Sequence, residues 1–253
     1  MKVAVVGGTG VLGKPLVAEL AKRGGEVLAL SRKPGPALPE GVAHRRVDLT
    51  TGDGLAEALA GVEVVVDASN SNPRNAGPVL VEGTERLLRA GADAGVRHHI
   101  GVSIVGCDKV PMAYYKVKVE QEEAIAAGEV PWSILRATQF HSLLGWAFEQ
   151  AGRLRLRPTG KAPLQPVDAA VAAARLAEAV HAEPVGRLPE VAGPQVLTMS
   201  ELAAAWRRVR GQRALPVRIP AVGRILRPVR EGALCNTGAA AGGPTFEQWL
   251  AGG

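Results

Sequence analysis

The 253-residue chain has two cysteines, two tyrosines and three phenylalanines, and aromatic residues make up 4% of it. Cys107 and Cys235 stand apart, with no Cys-x-x-Cys or Cys/His spacing, which excludes a disulfide framework and a zinc site and reads as free thiols in a reducing compartment. So few aromatics exclude a base-stacking platform for single-stranded nucleic acid. No apolar run approaches the roughly 20 residues of a membrane span. The five apolar residues that precede the first glycine cluster are too few for a secretory signal core. These features imply a cytoplasmic globular protein without a membrane partner. With 47% hydrophobic and 21% charged residues, the composition also excludes wholesale disorder.

Charge is uneven along the chain. Residues 1–150 carry 16 basic and 17 acidic side chains, whereas residues 151–253 carry 14 and 7, and all the basic ones but Lys161 are arginines. A basic third can serve an anionic partner, but no run of five like charges occurs. An ordinary solvated arginine surface is expected, with no nucleic-acid partner.

Short β-branched runs alternate with helical patterns over the first 136 residues. Strands are expected at 2–7, 26–30, 43–47, 62–68, 97–105 and 132–136, with helices at 11–23, 54–60, 78–94 and 112–127. Runs such as VAVVG and VEVVVDA are apolar almost throughout, as strands covered on both faces must be. Alternation of this kind implies βαβ units and a doubly wound parallel sheet of Rossmann type. Beyond Arg136 the pattern loosens. It suggests a helix at 142–150, a basic strand face at 153–157, helices at 167–181 and 199–210 with Thr198 or Ser200 as cap, a small-residue loop at 232–243, and a short helix near 245–250 docked by Phe246 and Trp249. No clean linker appears. The expectation is one domain over 1–253, with a cofactor-binding core over about 1–150 and a smaller substrate-capping C-terminal lobe over about 151–253.

Gly7-Gly8-Thr9-Gly10-Val11-Leu12-Gly13 follows the first strand and opens the first helix. Glycines there permit a tight turn and close backbone approach, and the helix start offers N–H groups to a pyrophosphate. The same stretch is nearly a Walker A loop, but Pro15 follows Lys14 where that motif needs Ser or Thr for magnesium. Dinucleotide binding is the better reading. The second strand ends Ser31-Arg32-Lys33, with no acid to accept from a ribose 2′-hydroxyl. Arg32 can grip a 2′-phosphate with a bidentate fork, so NADP(H) is expected over NAD(H).

The two tyrosines are adjacent, in Tyr114-Tyr115-Lys116-Val117-Lys118. Tyr114 and Lys118 share a helix face at i and i+4. An ammonium beside a phenol is expected to lower its pKa toward that of a general acid working near neutrality. His98 and His99 are strand neighbours that point to opposite faces and cannot hold one metal together; no metal site is expected.

Glycine loop and Tyr-x-x-x-Lys pair together resemble the short-chain dehydrogenase/reductase superfamily. GGTGVLG, SRKP, VEGTERLLRAGADAGVRHHIGVSIVG, AYYKVKVEQEEAI and PWSILRATQF look like its atypical, NmrA-like NAD(P)H-binding branch, over about residues 1–180. The resemblance implies Tyr114 as general acid/base, Lys118 as its activator and a ribose ligand, and Ser103 as a hydrogen-bond donor to the substrate carbonyl. It implies Asp48 and Leu49 beside the adenine, and Ala68, Ser69 and Asn70 along the ribose and nicotinamide. Thr138, Gln139, Phe140 and Trp146 are expected to line the substrate pocket, with Phe148 and the helices of the 200s adding to an apolar lid. The expected function is an NADP(H)-dependent oxidoreductase of a small carbonyl, quinone or similar substrate. The alternative is an NADP(H)-binding redox-sensing regulator that controls a partner protein without turnover.

Overall fold

The computed structural model describes residues 1–33, 38–211, 214–219 and 223–252. They fall into two compact units, neither of them one continuous stretch: Met1–Ser103, Ala113–Leu135 and Ala172–Leu188 form the first, and Ile104–Met112, Arg136–Val171 and Pro189–Gly253 the second.

The first unit is built on a sheet and the helices that cover it. In chain order these are β1 (Lys2–Val6), α1 (Gly13–Lys22), β2 (Glu26–Ser31), β3 (Ala43–Arg46), α2 (Leu55–Leu59), β4 (Val64–Asp67), α3 (Glu82–Asp93), β5 (His98–Ile104), α4 (Ala113–Ala127) and β6 (Trp132–Ala137). After α5 (His141–Arg153), β7 (Leu156–Thr159) and β8 (Pro163–Leu164) come α6 (Ala169–Ala179) and the short β9 (Gly186–Arg187), which completes the sheet. The strand order is β3-β2-β1-β4-β5-β6-β9, and β1 pairs in parallel with β2 on one side and β4 on the other. Strand order therefore reverses between β1 and β4, and their carboxyl ends flank the crevice where open α/β sheets take ligands.

All six expected strands form, to within two residues at each end, because their apolar runs can be covered on both faces. Val3, Ala4, Val5 and Val6 of β1 and Val64, Val65 and Val66 of β4 are each at most 3% exposed. Leu28, Leu30, Leu59, Leu87, Ile125 and Ile134 fill one core layer of this unit. The helix expected at 78–94 begins instead with a π-turn over Gly77–Val81, and α-geometry sets in at Glu82. Such turns are uncommon and concentrate at functional sites.

The second unit holds α5, β7, β8, β10 (Leu197–Thr198), α7 (Met199–Arg210), β11 (Leu215–Arg218), α8 (Arg227–Arg230) and α9 (Phe246–Gly252). β7 pairs in parallel with β11, and β8 pairs antiparallel with β10. Helix α7 has the expected bounds. The Thr198 side chain accepts from the Glu201 backbone N–H while the Glu201 carboxylate accepts from that of Thr198, a reciprocal cap. The strand expected at 153–157 starts only at Leu156, since α5 runs on to Arg153 and Arg155 takes a left-handed φ of 55° that turns the chain. Phe148 is not a lid residue. It is 3% exposed and stacks on Trp206, so both rings belong to the core of this unit with Leu202, Phe246 and Leu250. Phe246 and Trp249 dock the last helix as expected, with Phe246 buried and Trp249 stacked on it. No described helix is long and apolar enough to cross a membrane.

Candidate cofactor and catalytic site

The loop from Gly7 to Gly13 joins β1 to α1 at the switch point. The Gly7 and Gly8 N–H groups donate to Leu30 O at 2.9 and 3.2 Å, and the Gly10 N–H donates to Gly7 O at 2.8 Å. Two positions admit only glycine. Gly7 has a φ of +72°, and a Cβ on it would lie 2.6 Å from Ala68 O. On Gly13 it would lie 2.1 Å from Gly7 O and 2.6 Å from Gly8 Cα. Thr9 is half-buried, Val11 is exposed and Leu12 buried, so the loop offers mainly backbone. No side chain caps α1 and no acid stands in its first turn. That leaves the positive end of the helix dipole for an anion. A pyrophosphate fits this cradle.

A cleft of about 580 Å³ lies in the same unit, lined by Arg32, Thr50, Asn70, Ser71, Asn72, Asn75, Pro78 and Val79. Arg32 and Lys33 are exposed just past β2. The Ser31 hydroxyl donates to Lys33 O at 2.6 Å and lies 2.9 Å from His44 Nε2, which holds the backbone at the end of β2. Asp48 Oδ1 accepts from the Thr50 N–H at 2.9 Å and the Thr50 hydroxyl at 2.6 Å. These bonds, with the charge of Arg32, hold its carboxyl below the usual carboxylate range. Leu49 is buried. Cleft residues from Thr50 and from Ser71 to Val79 escaped the sequence reading. The clustering of Asn70, Asn72, Pro73 and Asn75 directly after a strand was the signal available.

Beside this cleft stands Tyr114, at the start of α4. Its hydroxyl donates to Asn70 Oδ1 at 2.6 Å. Contrary to the lowering expected from a nearby ammonium, burial of the half-buried ring raises the phenol above its ordinary 10. Lys118 lies one turn on, only 4% exposed. Its ammonium donates to Val102 O at 2.7 Å and to the Gln121 side-chain oxygen. Ser103, buried at 4%, is the next residue of β5 after Val102. Tyr114, Lys118, Ser103, the glycine loop, Ser31 to Lys33, Asp48, Leu49 and Ala68 to Asn70 thus all belong to the first unit.

The pocket residues expected from the next segment belong to the second unit. The Thr138 hydroxyl is buried, donating to Gln165 O at 2.5 Å and accepting from the Gly193 N–H at 3.2 Å. The Gln139 amide donates to Leu234 O and accepts from the Gln165 N–H. Their polar atoms serve backbone groups of this unit. Phe140 is half-buried, and Trp146 is 59% exposed. His98 and His99 are both buried. His98 Nε2 lies 2.9 Å from Ser133 Oγ, and burial pushes His99 down to about 4. Among the described residues no three His, Cys, Asp or Glu side chains cluster as a metal site would require.

Switch-point glycine loop, uncapped helix start and adjoining polar cleft define a dinucleotide-binding α/β protein. The family model described as NAD(P)H-binding matches residues 7–183. A (4-alkanoyl-5-oxo-2,5-dihydrofuran-3-yl)methyl phosphate reductase of Streptomyces griseus is 32% identical over 232 residues, covering 87% of this chain and 77% of that protein. An NADPH-dependent quinone oxidoreductase from Escherichia coli complexed with NADPH has the same fold, with a TM-score of 0.80 at 20% identity and 99% of each chain covered. The triphenylmethane reductase of a Citrobacter species complexed with NADP(H) aligns at 0.70 and 18% identity, over 100% of this chain and 96% of that one. The chain belongs to the NAD(P)H-binding family.

Proposed function

We propose that this protein is an NADP(H)-dependent oxidoreductase that reduces a small carbonyl compound, quinone or similar acceptor. The observation that carries the reading is the Tyr114–Lys118 pair on α4, set beside Asn70 and the cleft within the unit that holds the glycine loop. The furanone phosphate reductase, which shares 32% identity, supports a reductive role.

Residues 7–13 hold the pyrophosphate on backbone N–H groups. Ser31, Arg32 and Lys33 take the 2′-phosphate, which makes NADP(H) the preferred cofactor over NAD(H). Asp48 and Leu49 flank the adenine, and Ala68, Ser69 and Asn70 line the ribose. Bound NADPH supplies a hydride to the substrate carbon. Tyr114 gives its proton to the substrate oxygen, Ser103 donates a hydrogen bond to the same oxygen, and Lys118 holds the ribose and the working geometry of the tyrosine. A phenol kept protonated by burial is loaded for that direction.

A retained Tyr–Lys pair favours turnover over the regulator without turnover. The test is NADPH consumption against a panel of aldehydes, ketones and quinones, run with calorimetric titration of NADPH. Turnover of one class supports the enzyme. Tight NADPH binding with no turnover across the panel transfers the reading to the regulator.

A further inference from the structure

Gln121 lies three residues after Lys118 on α4 and shares its face. It is 2% exposed. Its side-chain oxygen accepts from the Lys118 ammonium, and its amide nitrogen donates to Asp67 Oδ2 at 3.2 Å and to the Thr84 hydroxyl at 3.0 Å. The Thr84 hydroxyl in turn donates to Asp67 Oδ2 at 3.1 Å. The other oxygen of Asp67 accepts from the Ser69 N–H at 3.0 Å. Asp67 and Thr84 are each at most 1% exposed. One carboxylate at the end of β4 thus braces both the start of the 68–70 loop and, through Gln121, the lysine of α4.

The chemistry leaves this arrangement one orientation. An ammonium only donates and a carboxylate only accepts, so the amide between them must turn its oxygen to Lys118 and its nitrogen to Asp67. Thr84 fits the same polarity, accepting from the amide and donating to the carboxylate. A buried ammonium is tolerable only where its donors are met, and here Val102 O and the Gln121 oxygen meet donors from two directions. A long lysine with four rotatable bonds is thereby held in one pose before any ligand arrives.

We propose that Gln121, clamped by Asp67 and Thr84, is the positioning residue that fixes the Lys118 ammonium for the cofactor ribose. The inference rests on Lys118 being a ribose ligand. Preorganisation of this kind strengthens binding by removing the cost of ordering a side chain.

Calorimetric titration with NADPH tests it on the full chain, using Lys118→Met, Gln121→Met, the double variant and Gln121→Glu, with thermal melts alongside. Gln121→Met is expected to weaken NADPH about tenfold, the size of one hydrogen bond to a charged group. The double variant should bind no more weakly than Lys118→Met alone, because Gln121 acts through the lysine. Gln121→Glu puts an acceptor where the amide donated to Asp67 Oδ2, two carboxylate oxygens in contact, so it breaks the clamp and should weaken NADPH at least as much as Gln121→Met. Additive losses in the double variant, unchanged affinity in Gln121→Met, or parental affinity in Gln121→Glu overturn the proposal while leaving Lys118 as a ligand. Unchanged affinity in Lys118→Met overturns the ribose assignment itself and this inference with it. Should Gln121→Met not fold, Thr84→Val replaces it. That change unlocks the amide with little change of volume; a loss of NADPH affinity is expected, and unchanged affinity refutes the clamp.

Discussion

Replacing Tyr114 by phenylalanine removes one oxygen atom, and the structure sets what that should cost. The hydroxyl makes a single neutral hydrogen bond, 2.6 Å to the exposed Asn70 side chain. Its loss should lower stability by about 0.5–1.5 kcal/mol, a shift of a few degrees in Tm for a chain of this size. If the same hydroxyl is the proton donor, turnover should fall by about 10²- to 10⁴-fold, or roughly 3–5 kcal/mol of barrier at 1.36 kcal/mol per decade. NADPH affinity should be kept. The pH dependence adds an independent check. Burial raises the phenol above 10, so the donor is protonated throughout the neutral range. The reductive rate should stay level from about pH 6 to 9 and fall only as pH rises through the raised pKa. The assay follows NADPH absorbance with the best substrate of the carbonyl and quinone panel, comparing the parent with Tyr114→Phe and Tyr115→Phe. Tyr115→Phe should change turnover much less, since neighbours on a helix are turned about 100° apart. A Tyr114→Phe variant within threefold of the parent would falsify the assignment. A rate that falls through a midpoint near pH 7 would mean that a cation in the working complex overrides burial.

Arg32→Ala should weaken NADPH at least about tenfold and leave NADH nearly unchanged, since only the 2′-phosphate is lost as a partner; equal parental affinities for the two cofactors refute the preference. Gly13→Ala drives a Cβ to 2.1 Å from Gly7 O, so it should destabilise the fold by at least about 1–3 kcal/mol and abolish NADPH binding at micromolar protein; an alanine variant with parental Tm contradicts the loop packing. His99 is held neutral by burial with a pKa of about 4 against an ordinary 6.5. The unfolded chain therefore takes up a proton first as pH falls, and stability present above 6.5 is lost toward 4, by at most about 3 kcal/mol. Urea melts at pH 7 and 5 should show this loss and a smaller one in His99→Gln; identical slopes in both proteins exclude His99 as the cause. Duplex DNA should not bind at micromolar concentration in physiological salt; tight binding with a steep salt slope would assign the arginine-rich third to phosphates.

Local chemistry made the sheet and its glycine loop legible in the sequence. Runs such as VAVVG can be stable only as strands covered on both faces, and a glycine cluster between such a strand and a helix has few other uses. The Thr198–Glu201 cap was readable for the same reason, because a cap is a contact between residues three apart. The Tyr114–Lys118 spacing likewise marked one helix face. What the sequence could not carry depends on residues brought together from far along the chain. The direction of the Tyr114 pKa followed from burial of its ring, which no spacing reveals. Phe148 looked free to cap a pocket until Trp206, 58 positions on, took its face. The role of Gln121 appeared only when Asp67, 54 residues earlier, and Thr84, 37 earlier, met it in the core. Periodicity reports which side of an element is buried; only the tertiary structure decides which partner is waiting there.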